Sequence, residues 1–505
     1  MNFFINSQPF YFEPKQTIMH AAINAGIYIP YFCWHPSLSV DASCRICYVE
    51  IEHPKGNILQ PACYTEITEG MKVFTNSEKV LFHRQKIMEM LLVNHPVDCG
   101  ICDKAGECLL QDYHFAHNGK FSSSKEPKHI QDKFHHVTEN ILLDNERCIL
   151  CSRCVRFTQE ISGSYGLGII SRGHHSIIRE SPDGSFAKDN YSENVVDICP
   201  VGALLSKNFL YDSRVWYIKP TKSICPGCAN GCEINIWHRR NDWMLKSVDK
   251  NKNHNISRVT PYHQIIENRP NNPINQNPND EFKKSALNNN SKNPWICNLG
   301  RRINQFYNKN RSQYPMINGR EEKIDKVINK IAELIQSAKN PSLLITNWAS
   351  CDELIIANQL SPKIKKVFYN ERECEKGETE SDDFLIKADK NPNSAGVRKY
   401  IDNLLESIPK NCDLLIHWSQ FGENFDFTLI QPKLSPNAKL ITMIPFLAPE
   451  NGYAQIHIPI SLPIERNGSW INYQGDENIF KKCFTKPEKV VHAAEIFKKL
   501  VELRI

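Results

Sequence analysis

Cysteines arrive in runs along this chain. Fourteen of its nineteen lie between Cys33 and Cys232, and only Cys297, Cys351, Cys374, Cys412 and Cys483 follow. Several are separated by just two residues, which turns neighbouring thiols toward one point, as a metal ion or an iron–sulfur cluster requires. A disulfide framework belongs to small secreted domains. This chain has 505 residues and opens Met1-Asn2-Phe3-Phe4-Ile5-Asn6, without the basic stretch and apolar core of a secretory signal. The expectation is a reducing compartment and metal-holding thiols. At roughly 100–200 residues per domain, the length implies three to four domains. Lysine and arginine number 61 against 56 acids, a net charge of +5 that is too small to point to nucleic acid. No uncharged apolar run approaches the ~18–20 residues of a membrane span.

The first group is Cys33, Cys44, Cys47 and Cys63, spaced C-x10-C-x2-C-x15-C. Phe3–Ile5 and Phe10–Phe12 read as short strands, Thr17–Ala25 as a helix closed by Gly26, and Tyr48–Ile51 as a strand leaving the cysteine loop. Two strands, a helix and a cysteine loop present a [2Fe–2S] cluster in plant-type ferredoxins, although those space their first two ligands C-x4-C. A zinc site is the alternative. The second group, His95, Cys99, Cys102 and Cys108, supplies one imidazole and three thiolates, which suits zinc about as well as a [4Fe–4S] cube. His83, His114 and His117 lack such spacing and read as ordinary residues.

The third group is Cys148, Cys151 and Cys154, joined across 44 residues by Cys199-Pro200. It is the bacterial ferredoxin run with its last ligand displaced. Thr158 stands where a fourth consecutive cysteine would fall, so the count allows one [4Fe–4S] cluster here. The fourth group is Cys225, Cys228 and Cys232, whose missing ligand is expected from Cys297. Ten asparagines fall between Glu267 and Pro294, in a segment with little to bury that is expected to be a disordered insertion spanning about 266–294. Loop closure costs grow only logarithmically, so such an insertion leaves a site intact. Gly163–Gly168 is glycine-rich but lacks the G-x-G-x-x-G spacing of a dinucleotide-binding loop, and reads as a turn.

In this order the motifs resemble one family, from about Phe3 to Cys232: the large iron–sulfur subunit of proton-pumping NADH:quinone oxidoreductase, the 75 kDa or G type of respiratory complex I. The resemblance implies a relay from a flavin- and NADH-binding partner, through clusters held here, toward quinone-facing subunits. It implies partners in the peripheral arm, membrane contact only through them, and a place on the cytoplasmic side of a bacterial inner membrane. The family's fourth cluster lies off that path and occurs only in some bacteria. The cofactors implied are one [2Fe–2S] cluster, two [4Fe–4S] clusters and a third [4Fe–4S] cluster at Cys225, Cys228, Cys232 and Cys297. No residue here reads as catalytic.

The C-terminal part alternates helix and strand. An apolar stripe runs through Ile324, Val327, Ile328, Ile331, Leu334 and Ile335, a further helix is expected at Asp352–Leu360, and strands at Leu343–Thr346, Val367–Tyr369, Leu414–Ile416 and Leu440–Met443. Ala454–Pro459 and Glu465–Asn472 are similar to a segment of molybdopterin-dependent oxidoreductases, a domain that 75 kDa-type subunits carry in degenerate form. No molybdopterin is expected. Leu299 stands where the family has lysine, and Cys351, Cys374, Cys412 and Cys483 are isolated. The expected fold is therefore a multidomain α+β and α/β chain. It runs from a β-grasp [2Fe–2S] domain (1–78) through the histidine–cysteine segment (79–118) to a [4Fe–4S] ferredoxin-like domain (119–217). A fourth-cluster segment (218–301) and a truncated molybdopterin-oxidoreductase-like domain (302–505) follow. Two other readings stand beside the relay in complex I. One is a diaphorase-type subunit of an NAD-linked hydrogenase or formate dehydrogenase, and the other is a zinc-bearing structural protein.

Overall fold

A computed structural model describes residues 2–122, 124–246, 253–262, 293–309, 311–360, 362–420, 430–446 and 454–504. The expected insertion at about 266–294 falls almost wholly outside them. The chain forms two units: Met1–Ile218 with His263–Asn298, and Lys219–Tyr262 with Leu299–Ile505. Residues 218–301 are thus shared between the units instead of standing as a segment of their own.

The first unit begins with a five-stranded sheet. Strands β1 (Asn2–Ile5), β2 (Gln8–Tyr11), β3 (Tyr48–Ile51), β4 (Ile58–Pro61) and β5 (Lys72–Phe74) lie in the order β2-β1-β5-β3-β4, with only the β1–β5 pair parallel. Phe3 and Ile5 alternate inward onto Ile18, Met19 and Ala22 of helix α1 (Ile18–Asn24). The Thr17 side chain caps that helix by accepting from the His20 N–H, and Gly26 leaves it at φ +71°, a conformation glycine adopts without cost. The long loop from Gly26 to Cys47 then returns to β3.

Helix α2 (Glu78–Asn94), capped by Ser77, delivers His95 as its first non-helical residue. Cys108 opens α3 (Leu109–Tyr113). A three-stranded antiparallel sheet follows, β6 (His135–His136) and β7 (Ile141–Leu143) with β10 (Leu204–Ser206), in the order β10-β7-β6. Between β7 and β10 come α4 (Arg153–Glu160), the hairpin β8 (Leu167–Ile170)–β9 (Ile177–Glu180), and the short helices α5 (Ser185–Lys188) and α6 (Asn194–Ile198). The glycine-rich run read as a turn bends at Gly163, but its end, Leu167-Gly168, already pairs in β8 with Glu180 and Arg179. Hairpin pairing overrides the low strand preference of glycine.

The second unit carries a three-stranded antiparallel sheet, β11 (Ile218–Ile224), β12 (Glu233–Arg239) and β13 (Ile256–Pro261), with the Cys225–Cys232 loop joining the first two. Its larger sheet has seven strands. These are β14 (Met316–Ile317), β15 (Arg320–Glu321), β16 (Pro341–Thr346), β17 (Lys365–Tyr369), β18 (Cys412–Trp418), β19 (Leu434–Met443) and β20 (Ile456–Ile458), in the order β15-β14-β20-β19-β18-β16-β17. The five strands from β17 to β20 run parallel, and β16 is buried at every residue, as a parallel strand covered on both faces should be. Helix Ile324–Ser337 places the expected stripe in that core, its residues Val327, Ile331 and Ile335 fully buried. Helices Cys351–Asn358 and Ala493–Glu502 pack there too.

Candidate metal centres

The first thiol group meets where the loop between α1 and β3, carrying Cys33, Cys44 and Cys47, comes against Cys63 in the turn after β4. Cys33 and Cys44 bring their Sγ atoms to 3.3 Å, and Cys47 and Cys63 to 3.5 Å. Three of the four are buried, and the loop turns through Ala42 and Arg45 at φ +55° and +59°. Hydrogen bonds from the Cys44 and Cys63 thiols hold Cys33 far below the usual thiol range, and the same bonds keep Cys44 and Cys63 protonated. Four thiolates this close repel one another, so only cationic metal lets all of them ionise.

The third group lines one cavity: Cys148, Cys151, Cys154 and Cys199 face it together with apolar Leu143, Ile178 and Val201. Cys148–Cys154 forms a tight loop, Leu150 and Ser152 standing at φ +52° and +58°, and the Leu150 N–H points at Cys148 Sγ (3.4 Å). Cys199 follows α6 directly. Burial pushes the Cys151 thiol up to about 11 and those of Cys148 and Cys154 higher still.

The second group is built differently. Burial holds the His95 imidazole neutral, its pKa lowered to about 4, and Nδ1 is buried without a hydrogen-bond partner. A neutral imidazole with an orphaned nitrogen fits a metal ligand. Cys102 and Cys108 are buried, while Cys99 is exposed. Arg214 grips the turn, donating to the carbonyls of Cys102 (2.6 Å) and Gly100, and Arg147 holds Asp98 at 2.6 Å.

Second and third groups abut. Leu109 N–H donates to the Pro200 carbonyl (2.9 Å), and a Cβ placed on Gly202 would lie 2.2 Å from Cys102 Sγ. The first and third groups share Arg156, whose guanidinium donates to the backbone carbonyls of Cys33, Ser39 and Cys151. Sequence reading found none of Gly202, Arg214 and Arg156, although Gly202 stands three residues after Cys199 and Arg156 two after Cys154.

The fourth group is divided between the units. Cys225, Cys228 and Cys232 form a loop in the second, with Cys225 N–H on the Cys232 carbonyl (2.9 Å) and Asn230 Nδ2 on Cys232 Sγ (3.0 Å). The loop is fastened there by Ala229 to Asp389, Tyr473 to Ala229, and Arg372 to Gly227 (3.0 Å), and Leu299 lies against Gly227. Cys297 belongs to the first unit, where Trp295 stacks on His35 and meets Phe157 edge-on, and Asn298 Nδ2 donates to Asp189 and Ser192. Cys351 and Cys412 are buried, Cys374 is exposed and Cys483 is half-buried. His83 stacks on Tyr48 and His117 bonds Tyr28.

Ferredoxin-type domains with grouped thiols define an iron–sulfur protein, and three family profiles agree. Residues 1–78 match a 2Fe-2S iron-sulfur cluster binding domain, residues 84–122 the NADH-ubiquinone oxidoreductase-G iron-sulfur binding region, and residues 138–205 the ferredoxin-like domain of NADH-quinone oxidoreductase subunit 3. The chain is 38% identical over 257 residues to a G-type subunit of NADH-quinone oxidoreductase from Rhizobium meliloti, covering 51% of this chain and 30% of that protein. It is 35% identical over 282 residues to the NADH-ubiquinone oxidoreductase 75 kDa subunit of Reclinomonas americana (54% and 40%). The alpha subunit of a Geobacter sulfurreducens NADPH-Fe(3+) oxidoreductase is 41% identical over 231 residues (45% and 26%). A chain of an NAD+-reducing [NiFe]-hydrogenase crystal structure matches at 33% identity and a TM-score of 0.39, covering 42% of this chain and 90% of that one. The chain thus spans well under half the length of these curated relatives. Its N-terminal half is similar to the G-type, or 75 kDa, iron–sulfur subunits of NADH-quinone oxidoreductase, and the matched domains are of the [2Fe–2S] and [4Fe–4S] kinds.

Proposed function

We propose that this chain relays electrons within an NADH:quinone oxidoreductase, from a flavin-bearing, NADH-binding partner toward quinone-facing subunits. The observation that carries the reading is continuity. Arg156 links the first thiol group to the third, and Gly202 and Leu109 link the third to the second. In this reading Cys33 and Cys44 serve one iron and Cys47 and Cys63 the other of a [2Fe–2S] cluster. The match of residues 1–78 to a 2Fe-2S cluster binding domain favours two irons over a single tetrahedral zinc. The five-stranded sheet wrapped on α1 supports a β-grasp assignment. His95, Cys99, Cys102 and Cys108 would hold one [4Fe–4S] cluster, and Cys148, Cys151, Cys154 and Cys199 a second. Spacing alone supports a further one at Cys225, Cys228, Cys232 and Cys297. When bound, such clusters supply one-electron transfer. The residues around them keep water out, place the thiols and donate N–H groups to sulfur, as Leu150 and Gly227 do.

The C-terminal parallel sheet fits a degenerate molybdopterin-oxidoreductase-like scaffold without pterin. NADH and quinone sites fall to partner subunits, and the chain attaches to a membrane through them: among the described residues no helix is long and apolar enough to cross one. The Geobacter sulfurreducens relative favours one second reading, the same relay serving an Fe(3+)-reducing assembly. EPR of the reduced, purified chain, with NADH-to-quinone activity read in its complex, tests the proposal. One binuclear and three tetranuclear signals are expected, with electrons from NADH reaching a quinone. A colourless, zinc-loaded chain overturns the relay. Two tetranuclear signals remove the Cys225 site, and reduction of Fe(3+) without quinone activity selects the second reading.

A further inference from the structure

Away from every cysteine group, the first unit brings three histidines together. His129 lies in the stretch after α3, and His174 and His175 form the turn at the tip of the β8–β9 hairpin. Their ligand nitrogens all lie within 4.8 Å of one another, with ring centroids 3.8 Å apart for His174–His175 and 5.2 and 5.3 Å from His129 to each. We propose that His129, His174 and His175 form a binding site for a divalent zinc-type cation.

Three neutral imidazoles are the donor set of a borderline metal, Zn2+ or its neighbours Ni2+ and Cu2+, and suit neither Mg2+ nor Ca2+. Nitrogens about 2.0–2.1 Å from a tetrahedral zinc stand about 3.3 Å apart. Closing from 4.8 Å asks a shift of about an ångström from each ring. His174 and His175 are exposed and His129 is half-buried, so rotamer changes suffice. A fourth position stays open to water.

The backbone beneath the rings is fixed, which separates this group from a chance meeting of surface side chains. His129 N–H donates to Asn94 Oδ1 (3.0 Å), and the Lys128 ammonium is occupied by the Leu92 and Val93 carbonyls (2.7 and 2.9 Å) at the end of α2. Gln131 Nε2 reaches the His174 carbonyl (3.2 Å), joining the two halves directly. Arg179 of β9 pairs with Asp132, and Ile178 N–H donates to Asn145 Oδ1. Both segments are therefore held before any metal arrives, and less order has to be bought on binding. The cation would bind hairpin, linker and helix end together, one residue from His95.

Calorimetric titration of the cluster-loaded full chain with Zn2+ tests this, alongside His129→Asn and a His174→Ala/His175→Ala variant. Wild type is expected to take up one zinc per chain and to gain thermal stability with it. His129→Asn should bind ~10-fold or more weakly and the double variant should lose the site, with iron content and cluster EPR unchanged in all three. Equal uptake by wild type and the double variant, no uptake, or zinc gained in step with iron lost would overturn the proposal.

Discussion

The Cys148–Cys154 loop and the His95–Cys108 stretch lie side by side in one unit, and they admit water to different degrees. The loop is the drier of the two: its cavity is walled by Leu143, Ile178 and Val201, Cys154 and Cys199 are buried with Cys148 and Cys151 half-buried, and burial makes three of its thiols reluctant to ionise. The stretch leaves Cys99 exposed and offers, in the proposed ligand set, an uncharged imidazole in place of a fourth thiolate. A dry site needs metal before its thiols ionise. An open site can solvate a thiolate, and here it also carries one charge fewer. Two neighbouring centres made from nearly the same donors are thereby given different electrostatic surroundings.

Gly202→Ala breaks the comparison at its seam. The added methyl has nowhere to go but into Cys102 Sγ, so either the second group or the Cys199 turn must yield. Unfolding should be easier by about 1–3 kcal/mol, and iron per chain should fall. Thermal melting with iron analysis reads both, and unchanged iron would mean that the turn gives way harmlessly. His95→Cys makes the open site resemble the drier one. Its cluster should persist with a potential lower by something of the order of 100 mV, since a thiolate disfavours the added electron. A redox titration followed by EPR decides, and an unmoved potential would count against ligation by His95. Arg156→Lys probes the drier side together with the first thiol group. One ammonium cannot reach the Cys33, Ser39 and Cys151 carbonyls together, so about 1–2 kcal/mol of stability should go in denaturant titrations. The EPR signature of the His95 group should stay as it is.

Cysteine spacing made the thiol groups of the first half legible because closely spaced thiols are brought near one another by local chain geometry, as Cys148, Cys151 and Cys154 are around one cavity. The apolar stripe of Ile324–Ser337 and the buried β16 were readable for a similar reason, since periodicity is itself local. What could not be read depends on distant parts meeting. His129 finds His174 across 45 residues with no motif between them, and Arg156 finds Cys33 from 123 residues away. The asparagine-rich run between Glu267 and Pro294 falls between two crossings of the chain, after Tyr262 and after Asn298, but composition alone does not say that a change of unit goes with it. The Gly163–Gly168 run misled at its end because β9 recruits Leu167 and Gly168 into pairing.

Ala42, Arg45, Leu150 and Ser152 hold left-handed backbone conformations that side chains with a Cβ disfavour, by roughly 1 kcal/mol or more each. All four sit in the loops that carry the first and third thiol groups. Metal–sulfur bonds can hold such loops closed, whereas a chain emerging from the ribosome without metal has little to keep them so. Assembly order follows. The loops should stay open to solvent and to carrier proteins until cofactor arrives, then shut behind it. Limited proteolysis reads this directly: a chain without metal should be cut at these loops, and a metal-loaded chain should not.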